Sequence, residues 1–182
     1  MLKIKRIVRK FGNTEGAEIA EAALVLPLLF MLLLGIIWFG RAFNIYSTIQ
    51  QAAQQGAIAA ARATCATCGN VEATPAAVDT VVYTMMQADN LLPSQIQLPA
   101  NPPNCGPGQP CSACPSPPGG GCTKAAGSNI YVCQNVQLNP TATPAQCGSV
   151  VSFQYPFSFN LLSFTPLGSV TLSAQAQSRM EN

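Results

Sequence analysis

The sequence predicts an α+β protein with one long amino-terminal helix, a second shorter helix and a three- or four-stranded antiparallel sheet. Three observations carry this prediction. Residues 17–63 keep apolar or small residues at three- and four-residue steps, which is the spacing of one helix face. Residues 74–90 show the same spacing over a shorter stretch. The last third of the chain instead alternates apolar and polar residues, as strands with one covered face do.

Residues 1–16 form a basic leader with five Lys or Arg residues and one acid, whereas the rest of the chain has four basic and six acidic residues. Residues 22–40 then continue without a charge, and a helix of that length spans about 28 Å, close to the thickness of bilayer hydrocarbon. The charge asymmetry predicts a cytoplasmic leader, a single transmembrane segment and an exported remainder. The lipid bilayer is therefore a predicted partner, and nucleic acid is not. A cleavable secretory signal would normally have a shorter apolar region, of about 7–15 residues.

Glu21 stands at the edge of the apolar run, where an ionised carboxylate is unfavourable unless it is paired. Two interpretations are open. The carboxylate simply marks the interface where water begins, or the chain is cut between Gly16 and Ala17. After such a cut the new α-ammonium of Ala17 would lie one helical turn from Glu21, in the same subunit or a neighbouring one.

The second half of the first helix, to residue 63, has a face of alanine and glycine that another backbone could approach closely. The chain's own sheet is the favoured partner for this face, and helices of neighbouring subunits are the alternative. Thr74 and Pro75 then predict the start of the second helix as N-cap and first residue. Leu91, Leu92 and Pro93 end it, and residues 96–98 suggest a short strand.

Three strands are predicted near residues 130–138, 151–159 and 170–177, and the alternation in the first of them puts Val132 and Val136 on the same face. The aromatic row on the second of them is expected to form a core face against the long helix. Pro156 within that strand suggests an edge or a bulge, because proline cannot donate to a ladder. The row consists of Phe153, Tyr155, Phe157 and Phe159.

The chain has eight cysteines and no histidine, so Ser–His and Cys–His nucleophiles and histidine metal ligands are excluded. Residues 101–128 combine four cysteines with many prolines and glycines, which predicts a disulfide-pinned excursion from the exported domain, residues 64–182. Structural disulfides are expected, with 105 possible connectivities. We expect no metal, no cofactor and no enzymatic activity. The disulfide candidates are Cys65, Cys68, Cys105, Cys111, Cys114, Cys122, Cys133 and Cys147.

The cysteines have two other possible uses. The C-x-x-C pairs at residues 65–68 and 111–114 could indicate a thiol oxidoreductase or a four-cysteine zinc site. The redox interpretation is disfavoured because the first pair follows a helix carboxyl end, where the dipole destabilises a thiolate. The zinc interpretation is disfavoured because the gap between the pairs is much longer than usual, and because the domain is predicted to be exported.

The string GAEIAEAALVLPLL from Gly16, followed by GIIWFGRAF and AAQQGA, resembles a class III prepilin signal and the TadE-like family over residues 16–60. The resemblance implies that a prepilin peptidase cuts between Gly16 and Ala17. It implies a non-enzymatic pseudopilin or minor pilin of Flp-type (tight-adherence) pilus assembly, working with other pilin-like subunits. Such a protein sits in the bacterial inner membrane with its carboxy-terminal domain periplasmic or extracellular. The alternative is a permanently anchored envelope protein whose cysteine-rich loop binds a partner or surface.

Overall fold

The computed structural model describes residues 14–62, 72–106, 109–114, 120–139, 143–144, 146–161 and 165–180. The chain divides into two compact units, Met1–Ala42 and Phe43–Asn182. The leader before residue 14 and the cysteine pair at 65–68 lie outside the described residues. The predicted α+β class is confirmed by a long amino-terminal helix, a second helix and a four-stranded antiparallel sheet.

The first helix, α1, extends over Thr14–Ala61 and contains Pro27. The predicted helix over residues 17–63 is therefore confirmed apart from its ends. Among the described residues it begins three positions earlier than predicted, so it passes through the Gly16–Ala17 peptide bond. At its other end it stops two positions sooner.

The second helix, α2, extends over Pro75–Ala88 and begins as predicted. The Thr74 side-chain oxygen accepts a hydrogen bond from the Ala77 backbone N–H at 3.3 Å. The helix ends at Ala88, with Asp89 as its C-cap, and Asn90 follows with φ 58°. A 3₁₀ turn at Pro93–Gln95 comes next. The short strand predicted at 96–98 is reduced to a single antiparallel bridge between Gln97 and Gln154.

The described strands are β1 Asn104–Gly106, β2 Gln109–Pro110, β3 Gly121–Thr123, β4 Tyr131–Asn139, β5 Gln146–Leu161 and β6 Thr165–Arg179. The larger sheet has the order β3-β4-β5-β6 and is antiparallel throughout. A separate two-stranded ladder, β1-β2, lies in the cysteine-rich stretch. Pro156 lies in β5 beyond the last residue paired with β4, which is Ser152, so the predicted edge position is confirmed.

One hydrophobic core joins α1, α2 and one face of the sheet. The small-residue face of α1 is buried in it, which confirms that the chain's own sheet covers that face. Phe153 and Tyr155 are also in this core, as predicted for the aromatic row. The side chain of Phe159 lies outside the described part of the chain. The principal members are Ile49, Ala52, Ala53, Ala57 and Ala60 of α1, Val78, Val82 and Met86 of α2, and Val132, Val151, Phe153 and Ala174 of the sheet.

Strand β4 does not keep the predicted alternation along its length. Asn135 has φ 51°, and the register with β5 shifts between Cys133 and Val136. This bulge places Val136 in a different cluster from Val132, although the sequence predicts that both share one face. The prediction was wrong because a bulge inserts one residue and moves the following side chains to the other face.

The second face of the sheet is covered in part, whereas the alternation predicted only one covered face. Cys133, Val136 and Val150 are fully buried and form a small cluster of their own. Cys111, Cys122 and Leu138 pack against it. The cysteine-rich excursion therefore does not fold alone but adds a second, smaller core to the sheet.

Candidate functional site

Gly16, Ala17 and Glu21, the predicted processing residues, all lie in the first two turns of α1. Glu21 and the neighbouring Glu18 are exposed. Residues four apart on a helix are neighbours on one face, whereas adjacent residues point in different directions. The helix therefore puts Glu21, and not Glu18, on the face of Ala17.

The apolar run of α1 has an exposed surface that the first unit does not cover. Its large aliphatic and phenylalanine side chains between residues 24 and 39 are all exposed. Their exposed fraction ranges from 41% for Leu34 to 79% for Phe39. Among the described residues, α1 is the one helix that is long and apolar enough to cross a membrane. Soluble monomers rarely expose apolar patches of this extent. The helix is thus consistent with a single-pass membrane anchor.

Arg41 closes the apolar run and lies over Trp38. The guanidinium carbon is 5.9 Å from the indole ring centroid, within the range of a cation–π contact. Trp and Arg are both common at the boundary between hydrocarbon and water. The pair lies where the sequence predicts the end of the transmembrane segment, near residue 40.

The second unit fixes its own part of α1, from Phe43 to Ala61, through polar contacts as well as the core. The Thr48 hydroxyl donates to an Asp89 carboxylate oxygen at 2.7 Å. The Gln134 amide donates to the carbonyl oxygens of Ala60 and Ala73, at 3.2 and 2.8 Å. Ala60 is in the last turn of α1, where carbonyls have no intrahelical partner. The Gln134 side chain, from strand β4, therefore supplies a hydrogen-bond donor to the carboxyl end of α1. The periodicity of the strand did not predict this role.

The structure pairs Cys114 with Cys147 and Cys122 with Cys133. Cys111 is also disulfide-bonded, and no described cysteine is free. The first bridge ties the excursion to the beginning of β5, and the second ties β3 to β4. Disulfide pinning of the excursion is thereby confirmed. Cys65 and Cys68, and the side chain of Cys105, lie outside the described part.

These pairings bear on the two rejected uses of the cysteines. Cys111 and Cys114 do not bond to each other, because Cys114 is bridged to Cys147. The second C-x-x-C is therefore not a redox disulfide of the oxidoreductase type. The sulfurs of Cys111, Cys122 and Cys133 lie within 4.8 Å of one another, close enough to share a metal ion. All three are in disulfides, however, so none of them is a thiolate ligand.

Asp79 is a buried acid that the sequence reasoning missed. It is 4% exposed on the core side of α2, and its Oδ1 atom has no hydrogen-bond partner among the described residues. Burial raises the pKa of this carboxyl, and a hydrogen bond from the Ser128 side chain opposes that shift. The sequence does contain a signal of this burial, because Asp79 lies next to Val78 and three residues before Val82, on the apolar face of α2.

The raised pKa of Asp79 gives a pH-dependent stability. The folded protein holds a proton on this carboxyl at pH values where the unfolded chain has lost it, so stability falls as pH rises from 3.8 through the folded-state pKa. We expect Asp79→Asn to remove this part of the pH dependence. The measurement is the urea concentration at the midpoint of unfolding, for both proteins, from about pH 4 to 8. The midpoint of the variant should rise relative to that of the wild type as pH rises. Parallel profiles would contradict the assignment.

One comparison with known proteins matches the first part of this site. Residues 16–57 match the family model described as TadE-like protein. No curated protein and no solved structure matches the chain. The matched segment begins at Gly16 and ends beside Gly56, which lies in the domain core against Val82 and Val151. The family model thus covers both the exposed apolar run and the buried small-residue face of α1.

Proposed function

We propose that this chain, which carries a TadE-like segment over residues 16–57, is a membrane-anchored pseudopilin or minor pilin subunit of a Tad-type pilus system. One observation carries the proposal above the others. The family match begins at Gly16, Glu21 follows five residues later, and the helix that contains both has a membrane-length exposed apolar surface. The comparisons support association with such a pilus system, and the subunit role is our inference.

In this proposal a prepilin peptidase removes the basic leader by cutting between Gly16 and Ala17. The product begins with a charged amine at the membrane boundary. Glu21 accepts that charge across one helical turn, either within the chain or in a neighbouring pilin-like subunit. The pair offsets the cost of holding a carboxylate next to hydrocarbon, and it would set the axial register of one helix against another.

The same proposal gives the second unit a structural role and no catalytic one. Its core, its disulfides and the Gln134 cap hold Phe43–Ala61 in place, and the domain is exported to the periplasmic or extracellular side. The apolar part of α1 then has two possible neighbours, lipid or the corresponding helices of other subunits. Transfer between them is what assembly of a fibre from membrane subunits would require.

The experiment is to replace Gly16 with leucine in the full chain, co-expressed with a prepilin peptidase. We expect the wild type to lose its first 16 residues and Gly16→Leu to keep them, because a large side chain at the cut position obstructs the peptidase. Gel mobility and sequencing of the mature amino terminus provide the measurement. The matched control is Gly35→Leu, at a position with open space around it, which should be cleaved normally.

An uncleaved wild-type protein, in the presence of an active peptidase, would refute the processed-pilin proposal. It would instead favour the permanently anchored envelope protein. In that case function should survive Glu21→Ala and should depend on the excursion at residues 101–128. Cleavage at a different bond would also count against the assigned roles of Gly16 and Ala17.

A further inference from the structure

The β5–β6 hairpin extends beyond the rest of the larger sheet. The last residue of β5 that pairs with β4 is Ser152, and a single bridge between Gln154 and Gln97 follows it. From there to the end of the hairpin, residues 155–161 and 165–172 pair only with each other in the described part of the sheet. A two-stranded hairpin is at best marginally stable in water without a further surface to pack on.

This part of the hairpin is uncharged and rich in apolar residues. No Asp, Glu, Lys or Arg occurs between Gly148 and Ser178. Residues 155–172 read YPFSFNLLSFTPLGSVTL, in which half of the residues are aromatic or large aliphatic. Edge strands that face water normally carry charged side chains. The composition therefore indicates an apolar surrounding for the end of the hairpin.

Two contacts within the second unit show in which direction the hairpin points. A Cβ built at Gly56 would lie 3.5 Å from a methyl carbon of Val151, which is paired with Ala176 of β6. The Gln50 side-chain amide donates to the Ser173 carbonyl oxygen at 3.2 Å. Six residues back along α1, about 9 Å, thus correspond to three residues back along β6, about 10 Å. In this unit α1 and β6 therefore run in the same direction.

The same correspondence puts the end of the hairpin on the side where α1 enters the second unit. Phe43 lies seven residues before Gln50, about 10 Å, which is the level of Val170 on β6. Thr165, the first residue of β6, lies about 16 Å beyond that level. The apolar run ends at Gly40, only about 4.5 Å before Phe43. The end of the hairpin thus extends past the level at which the sequence predicts that hydrocarbon begins.

Three described side chains near this level are exposed although they are aromatic or aliphatic. Phe43 is 72% exposed, Tyr46 is 43% exposed and Val170 is 49% exposed. Aromatic residues are enriched where hydrocarbon meets the lipid headgroups. These three residues, which we call the membrane-proximal patch, have the chemistry of that boundary.

We propose that the end of the β5–β6 hairpin, where Leu161 pairs with Thr165, is inserted in the same lipid bilayer that holds α1. The membrane-proximal patch then lies at the headgroup boundary. Lipid is the occupant because the patch follows the exposed apolar run directly along α1, and because the hairpin has no charge to keep it in water. A second membrane contact of this kind fixes the orientation of the second unit over the bilayer. The proposal rests on the membrane anchor and not on processing or on a pilin role.

Tryptophan fluorescence of the full chain tests the depth of the hairpin. Trp38→Phe removes the one native tryptophan, and Thr165→Trp or Gln177→Trp then adds one at either end of β6. The proteins are reconstituted in vesicles of phosphatidylethanolamine and phosphatidylglycerol, with or without brominated acyl chains. We expect bromine to reduce emission by about half or more for Thr165→Trp and by less than about a tenth for Gln177→Trp, since about 40 Å of strand separates the two positions. Equal quenching at the two positions, or none at Thr165→Trp, would overturn the proposal.

A pair of opposite charges at Val170 provides the second test, measured as quenching of Thr165→Trp in the same vesicles. Val170→Asp is repelled by the anionic phosphatidylglycerol headgroups, so quenching should fall about twofold, whereas Val170→Lys is attracted and should keep it. The two variants place a charge at the same exposed position, so a disturbance of packing alone would affect both. Equal quenching in the two variants would contradict the membrane contact. Emission from Thr165→Trp that is shifted to the blue but not quenched would show that protein covers the hairpin, and would also overturn it. The vesicles contain no peptidase, so this proposal and the processed-pilin proposal fail separately.

Discussion

Glu21→Gln is expected to reduce incorporation of the protein into the pilus-associated fraction by tenfold or more, while cleavage after Gly16 continues. The glutamine keeps the size of the side chain but loses the charge that pairs with the amine of Ala17. A hydrogen bond to a charged group contributes about 1.5–3 kcal/mol, and 1.4 kcal/mol corresponds to a factor of ten. The amount of protein sheared from cells with pili, relative to membrane-bound protein, is the quantity to measure.

Glu18→Gln is the matched control for this experiment. Both acids are exposed, both precede the apolar run and both lose one charge on substitution. Only Glu21 lies one turn from Ala17 on the same helix face. If the two variants assemble equally well, Glu21 is an ordinary interface residue and the pairing proposed for it is incorrect.

Gly56→Leu is expected to destabilise the second unit by about 3 kcal/mol, with Gly56→Ala destabilising it less. A Cβ at this position would lie 2.7 Å from a methyl carbon of Val82 and 3.5 Å from one of Val151. Both neighbours are β-branched and stiff about χ1, so they cannot turn away. Replacing a glycine in a helix would by itself stabilise it by about 1 kcal/mol, which partly offsets the clash for alanine.

The measurement is hydrogen exchange of the β5 amides, which reports the opening free energy of the sheet. Gly40→Leu and Gly40→Ala supply the comparison, because nothing lies within 4 Å of a Cβ built at Gly40. These variants should leave exchange in β5 unchanged. Protection that survives Gly56→Leu would mean that α1 does not pack against α2 and β5 as closely as the structure shows.

Much of the fold was predictable because its signals are local. The helix pattern of α1, the Thr74–Pro75 start of α2 and the alternation in the last third depend on residues close together in the sequence. The sequence also predicted that the chain's own sheet covers the small-residue face of α1, because alanine and glycine permit close approach of a backbone. The described residues confirm each of these expectations, except that the alternation fails in β4 after Cys133.

The main failures, apart from the helix ends and the short strand at 96–98, are non-local. The bulge at Asn135 depends on how β4 meets β5, and it moves Val136 away from the face of Val132. Residue 120, which lies against this bulge, is a glycine, and any Cβ there would collide with the Asn135 carbonyl oxygen. The burial of Asp79 beside Ser128 depends on a loop about 50 residues away along the chain. Periodicity within one element cannot predict contacts of this kind.

The sequence by itself determined the basic leader, the membrane-length helix, the Gly16–Glu21 spacing and the resemblance that the family match confirms over residues 16–57. These features depend on charge, hydropathy and short spacings in the sequence, and these do not depend on the final packing. Only the tertiary structure decided that Cys114 bonds Cys147 and Cys122 bonds Cys133, and that a second small core covers part of the other sheet face. Each of these depends on which distant residues come together when the chain closes its loops.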